Sequence, residues 1–252
     1  MKLTVLGCSG AEFPGHNPPA FLLDEYLLLD GGTIGSMLGE DQQQLIRHVC
    51  VTHSHLDHVR GIPALADNIV VGGRQQKIDI IGLPEVLAVL KDHLMNGQVW
   101  PDFSVLPAPD SAAVRYREIL PETVLHVGGF FLTACRVTHS VPAAGFIVEK
   151  EGTRILYTGD TGPTERLWAC AGDVTAVIAE VSFPDAMEDM ALLTGHLTSR
   201  LLKTELAKLN RLPDRIFITH LKPQYGSLIT AELNALGLAQ IELLREGMTY
   251  EI

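Results

Sequence analysis

His53-Ser54-His55-Leu56-Asp57-His58-Val59-Arg60-Gly61 places three imidazoles and a carboxylate within six residues, directly after the strand-like run Val49-Thr52. Ordinary folding asks for no such cluster. On an extended segment His53 and His55, two positions apart, point to one side, while Asp57 and His58 begin the next helix and face a second point a few ångströms away. Nitrogen and oxygen ligands without thiolate suit zinc, manganese or iron, and two such ions roughly 3.5–4 Å apart form a clamp used in hydrolysis.

Outward from this stretch the same pattern returns. Val137-Thr138-His139 and Ile218-Thr219-His220 each put a histidine just past an apolar run, and Ile155-Leu156-Tyr157-Thr158 ends in Gly159-Asp160. Ligands of open α/β sheets gather at strand ends, so these imidazoles and the carboxylate are expected to converge on one edge of the fold. A lone histidine there is more often a hydrogen-bonded structural residue; four strand ends sharing the pattern weaken that explanation.

Candidate strands are Leu3-Gly7, Ala20-Leu23, Tyr26-Asp30, Val49-Thr52, Ile78-Ile81, Thr123-His126, Phe130-Thr138, Gly145-Glu149, Arg154-Thr158, Ala176-Val181, Arg215-Thr219 and Ile241-Leu244, enough for two sheets. Apolar stripes predict helices over Pro84-Leu94, with proline at the first position, and Leu197-Leu209. Met95-Pro121, with Pro101, Pro107, Pro109 and Pro121, reads as an irregular excursion that either overhangs the site or is a plain surface loop. No linker, repeat or low-complexity tract divides the chain, so residues 1–252 read as one α/β domain.

The 252 residues are 46% hydrophobic, too apolar for disorder, yet hold no run near the roughly 20 apolar residues of a membrane span. The net charge of −11 and the absence of a Lys/Arg run disfavour nucleic acid as a partner. Met1-Gly7 reads as a strand and lacks the features of a secretory signal, which points to the cytoplasm. Cys8, Cys50, Cys135 and Cys170 are far apart and read as reduced, packed thiols.

His-x-His-x-Asp-His resembles the signature of the metallo-β-lactamase fold, a four-layer αββα sandwich of two mixed sheets flanked by helices. The resemblance implies two divalent metal ions, zinc first, then manganese or iron. His53, His55 and His139 would hold one ion, and Asp57, His58 and His220 the other, with Asp160 as the bridge. Further motifs are His55-Leu56-Asp57-His58 with Gly61, Thr158-Gly159-Asp160-Thr161-Gly162-Pro163, Glu180-Val181-Ser182-Phe183-Pro184, Gly195-His196-Leu197-Thr198 and Ile218-Thr219-His220-Leu221-Lys222-Pro223. Together they are similar to the class II cyclic-nucleotide phosphodiesterases. That resemblance implies hydrolysis of 3',5'-cyclic nucleotides to 5'-nucleotides by in-line attack of a hydroxide shared by the two metals.

Some of these motifs also occur in the tRNA 3'-processing endonucleases of the superfamily. Those usually carry a basic arm between the equivalents of His139 and Asp160, where this chain has only a strand pair turning at Lys150-Glu151-Gly152. The metal motif is equally compatible with a ribose cyclic phosphate phosphodiesterase and with a lactone or thioester hydrolase, since fold does not fix substrate. The expected partners are a small anionic phosphodiester and a second copy in a homodimer, with neither nucleic acid nor membrane.

The catalytic candidates are Asp57, His196 and Glu180. His196 opens a helix outside the seven-residue set and is the candidate acid for the leaving oxygen; the competing role for it is structural, bonded to backbone. Glu180 is placed to hydrogen-bond that imidazole and raise its pKa. Asp30, after a strand, resembles a family position that orients a metal-bound histidine. His16 is a weaker candidate for the mouth of the site, and His48, His93 and His126 have no partner legible in the sequence. Phe13, Trp100, Phe103 and Phe183 are unranked candidates for a base platform.

Overall fold

In the computed structural model, which describes residues 1–73 and 76–252, short β-rich runs pair into two seven-stranded sheets. The first is built from β1 (Lys2–Gly7), β2 (Ala20–Leu23), β3 (Leu27–Leu29), β4 (His48–Cys50), β5 (Ile78–Gly82) and β6 (Val114–Glu118) in sequence order, with β14 (Thr249–Glu251) beside β1. The second contains β7 (Val124–Val127), β8 (Phe130–Arg136), β9 (Ala144–Lys150), β10 (Thr153–Tyr157), β11 (Ala176–Glu180), β12 (Arg215–Thr219) and β13 (Ile241–Leu243). Each sheet starts with three antiparallel pairings, β14-β1-β2-β3 and β7-β8-β9-β10, and continues with three parallel ones, β3-β4-β5-β6 and β10-β11-β12-β13.

The sheets face each other across one apolar layer. Leu3, Val5, Phe21 and Leu23 of the first meet Phe130, Leu132, Phe146, Val148, Tyr157 and Phe217 of the second in a single cluster. Phe21 and Tyr157 pack edge to face at 5.2 Å, and Phe217 and Tyr250 lie 5.0 Å apart. Burying each such ring is worth about 1.5–3 kcal/mol, the general source of the sandwich's stability. Of the helices, α1 (Glu40–Gln43) contacts α3 (Gly61–Val71), and α4 (Pro84–Val89) packs on β5 and β6. On the second sheet α5 (Arg166–Ala171) packs on β8 and α8 (Gly226–Ala235) on β13 and α7 (Ser199–Leu206), over a second cluster with Leu202, Leu206 and Leu233. Helices α2 (Leu56–Val59) and α6 (Glu188–Thr194) flank the site.

The expected αββα sandwich of two mixed sheets is the observed architecture, with local corrections. The stretch expected to be an irregular excursion, Met95-Pro121, contains β6, and its Phe103, Ala113 and Val114 are buried. The helix expected over Pro84-Leu94 widens at Leu90–Leu94 into a π-type turn. That expected over Leu197-Leu209 spans only Ser199–Leu206, because Thr198 caps it by accepting from the Leu201 N–H. No helix of the described residues is long and apolar enough to cross a membrane.

Candidate metal centre

The carboxyl ends of β3, β4, β10, β11 and β12 lie at one edge of the sandwich and deliver Asp30, His53, Asp160, Glu180 and His220. After β4 the chain stays extended through His53 and His55, then turns into α2, which carries Asp57 and His58. The loop after β8 brings His139. Among the described residues three donor groups have one atom per residue inside a 4.8 Å span: His53-His55-His139, Asp57-His58-Asp160-His220, and Glu180-His196-His220, which shares His220 with the second and whose other two members bond each other.

Within the first set, His53 Nε2 and His55 Nδ1 are 3.0 Å apart and His55 Nδ1 and His139 Nε2 3.3 Å. In the second, Asp160 Oδ2 is 3.3 Å from both His58 Nε2 and His220 Nε2, and Asp57 Oδ2 is 3.5 Å from His220 Nε2. Asp160 Oδ2 also lies 3.8 Å from His53 Nε2, which places it between the sets. Tetrahedral ligands at zinc–nitrogen distances stand roughly 3.4 Å from one another, so these separations suit a shared cation.

The opposite nitrogens are fixed from behind. Asp30 is fully buried, accepts from Thr52 N–H, Thr52 Oγ–H and Tyr157 O–H, and lies 2.7 Å from His58 Nδ1. Its backbone takes φ +56°, a left-handed conformation uncommon for a residue with a side chain, and His220 takes φ +65°. His220 Nδ1 meets Ser182 Oγ at 2.8 Å, and His139 Nδ1 donates to the Gly195 carbonyl at 2.8 Å. Gly195, at φ +73°, must be glycine, since a Cβ would stand 2.9 Å from His139 Cα. With Nδ1 engaged, His58 and His220 each leave a buried Nε2 without a hydrogen-bond partner. Two buried orphan nitrogens beside carboxylate oxygens are what a cation would satisfy, so the donor set fits a metal.

The electrostatics of the first set agree. Burial, with His58 beside it, holds His53 well below the ordinary histidine range, and burial also lowers His55 and His139, leaving neutral imidazoles as ligation requires. Burial opposes charge on His58, yet Asp160 and Asp30 outweigh it and hold its pKa well above the ordinary value. Burial works against ionising Asp160 too, but His220 and His58 keep its carboxyl far below the usual range, and Asp57 is lowered in the same way by His220 and His58.

Beside these sets, Glu180 Oε1 lies 2.8 Å from His196 Nδ1 and accepts from the N–H groups of Thr161 and Leu197. Burial opposes a charged His196, but the Glu180 carboxylate raises its pKa above the ordinary histidine value. The His196 ring stacks on His220 at 5.4 Å and 19°. His196 does not open a helix as expected: it sits between Gly195, which ends α6, and Thr198, which caps α7, and the loop turns its ring inward.

Among the remaining candidates, His16 faces Ser9 Oγ at 3.4 Å and lines a cavity of about 410 Å3 with Cys8, Arg245 and Glu246, to which none of the seven residues contributes. His48, without an expected partner, lies 3.3 Å from Asp79, and His126 packs on Phe131 at 4.8 Å. Phe103 and Phe183 are buried, whereas Phe13 and Trp100 are exposed; the Trp100 indole N–H donates to the Pro63 carbonyl. Sequence reasoning missed Tyr157, Thr52 and Ser182 as supports. Ser182 at least lies within the Glu180-Pro184 motif, but nothing local to Tyr157 signals a bond to Asp30 across the sandwich.

Residues 36–221 match the model of the beta-lactamase superfamily domain. A probable 3',5'-cyclic-nucleotide phosphodiesterase of Yersinia pestis is 27% identical over 245 residues, covering 81% of this chain and 68% of that protein. A ribonuclease Z of Pyrobaculum calidifontis is 28% identical over 229 residues and covers 79% of each. The expected exclusion of nucleic acid therefore finds no support in the relatives. The metallo-beta-lactamase fold protein YhfI of Bacillus subtilis superposes with a TM-score of 0.80 at 18% identity, covering 99% of this chain and 98% of that one. With its sandwich, its two donor sets and a family match over most of its length, the chain belongs to the metallo-β-lactamase superfamily.

Proposed function

We propose that the protein is a metal-dependent phosphodiesterase that converts 3',5'-cyclic nucleotides, cyclic AMP or cyclic GMP, to 5'-nucleotides. The observation that carries the phosphodiesterase part of this reading is the Glu180-paired His196 ring stacked directly against the seven-residue cluster, and the cyclic-nucleotide part rests on the resemblance of the motifs together. His53, His55 and His139 would hold one divalent ion and Asp57, His58 and His220 the other, with Asp160 between them, supplying Lewis acidity at the phosphoryl oxygens and a water of lowered pKa.

The chain's own residues supply the rest. Cleaving a phosphodiester releases an alkoxide, which needs a proton. Glu180 keeps Nδ1 of His196 as a donor toward itself and favours the charged ring, which leaves Nε2 as the position from which a proton is given. Burial of Glu180 and Ser182 keeps water from competing for these bonds.

A second reading, tRNA 3' processing, is favoured by the ribonuclease Z relatives. Against it stand the net charge of −11 and the stretch from His139 to Asp160, which is filled by β9 and β10 joined at Glu151-Gly152. Zinc- or manganese-loaded protein should be offered cyclic AMP, bis-p-nitrophenyl phosphate, a neutral lactone and a precursor tRNA. Fastest turnover of cyclic AMP supports the proposal; faster turnover of the lactone or the tRNA sinks it.

A further inference from the structure

The run that ends β12 brings a second functional group to the centre, two residues after His220. Lys222 is half-buried, and its ammonium donates to the Gly10 carbonyl at 2.7 Å and sits 5.6 Å from the centre of the Phe183 ring. One neighbour packs on the Nδ1 side of His220 and the other on His196. Gly10 packs so closely on His220 that a Cβ there would stand 2.8 Å from His220 Nδ1, and the Phe183 ring lies 5.8 Å from that of His196.

Among the described residues no carboxylate pairs with this ammonium. Other partly buried lysines behave differently: Lys150 meets Asp24 at 2.7 Å and Lys208 meets Glu205 at 2.7 Å. A chain with 30 acidic and 19 basic residues has carboxylates to spare, yet none is placed here. Its protein acceptor is the Gly10 carbonyl, which leaves two of the three ammonium donors available to a ligand. A cation with donors available and no protein carboxylate beside it suits an anionic ligand.

We infer that Lys222 forms an anion subsite at the rim of the candidate metal centre and binds a phosphoryl oxygen of the substrate or of the released phosphate monoester. The inference rests on the phosphodiesterase reading for the identity of the anion. Its geometric basis is the counter-ion-free ammonium wedged between Gly10 and Phe183. The subsite would favour charged phosphoryl compounds over neutral esters, since a neutral carbonyl oxygen gains far less from a partly desolvated cation.

The test uses metal-loaded protein with Lys222→Met and Lys222→Arg, measuring inorganic phosphate binding by calorimetry and kcat and KM on bis-p-nitrophenyl phosphate. Lys222→Met should weaken phosphate binding about tenfold, raise KM by a similar factor and leave kcat within about threefold, with metal content unchanged. Lys222→Arg should recover most of the loss. If Lys222→Met does not fold, Lys222→Gln, which keeps a donor for the Gly10 carbonyl, serves as the neutral variant. Unchanged phosphate affinity and KM alongside a lowered melting temperature would overturn the inference and make Lys222 a tie between Gly10 and β12. A wild-type protein that cleaves no diester but binds phosphate through Lys222 would keep the subsite and remove the phosphodiesterase reading.

Discussion

Asp30 touches no residue of the first donor set, yet it fixes which nitrogen of His58 faces the second. With Nδ1 of His58 held at 2.7 Å, Nε2 must turn toward Asp160. Tyr157 and Thr52 hold the carboxylate in place, so its position is set by β10 and the segment after β4 together. Asp30→Ala should weaken binding of metal by about 10–100-fold, read by competition with a chromophoric chelator; an unchanged affinity would mean that packing alone orients His58. His196 calls for the opposite outcome. His196→Ala should keep full metal content and lose roughly 10²–10⁴-fold in kcat on a phosphodiester, whereas retained turnover would remove the proton-donor assignment.

At the scale of the element, β6 shows what the sequence hides. Val114-Arg115-Tyr116-Arg117-Glu118 alternates but carries two arginines and lies in a proline-rich stretch, so it reads as loop. Its arginines reach back to Asp79 of β5: Arg115 Nε donates at 2.7 Å, Arg115 Nη2 at 2.9 Å and Arg117 Nη1 at 3.0 Å, with His48 of β4 on the same carboxylate. The strand is held at the sheet edge partly by these charges, a device that also blunts the edge against other chains. Burial opposes ionisation of Asp79, but the hydrogen bonds from Arg115 and Arg117 win and lower its pKa. A lowered folded-state pKa means stability that is complete above the ordinary aspartate range and is lost as pH falls through the lowered value. Wild-type protein should therefore exceed Asp79→Asn in denaturant midpoint at pH 7, and the gap should shrink at pH 3. An equal gap at both values would show that the arginines contribute nothing through charge.

The elements that were legible share one property, a local pattern strong enough to survive without context. The strands that lead into the site, β3, β4, β10, β11 and β12, lie in largely apolar runs, and a histidine or aspartate just past them is conspicuous. What was hidden depends on partners far away in sequence. Tyr157 is a core aromatic until Asp30 is seen beneath its hydroxyl; the turn of His196 depends on Gly195 and Thr198 ending and starting two helices; and β14 is three residues whose only recommendation is the free edge of β1.

For the whole molecule, the two sheets repeat one arrangement, three antiparallel pairings followed by three parallel ones. The carboxyl ends of the parallel strands meet at a common edge. In this repeat β3 and β10 occupy matching places. One leads directly into Asp30, which supports a ligand, and the other leads to Asp160, which lies between the two donor sets. The same architecture thus supplies a carboxylate from each half, one behind the cluster and one within it.

The most direct test of a two-metal centre is the metal content of the purified protein after dialysis against excess zinc or manganese and removal of free ion, measured by mass spectrometry for wild type and for Asp160→Ala. Two ions per chain are expected in the wild type, and fewer than two in the variant with its secondary structure intact. A wild-type protein that retains no metal, or a variant that still retains two, would contradict the assignment of these seven residues as ligands.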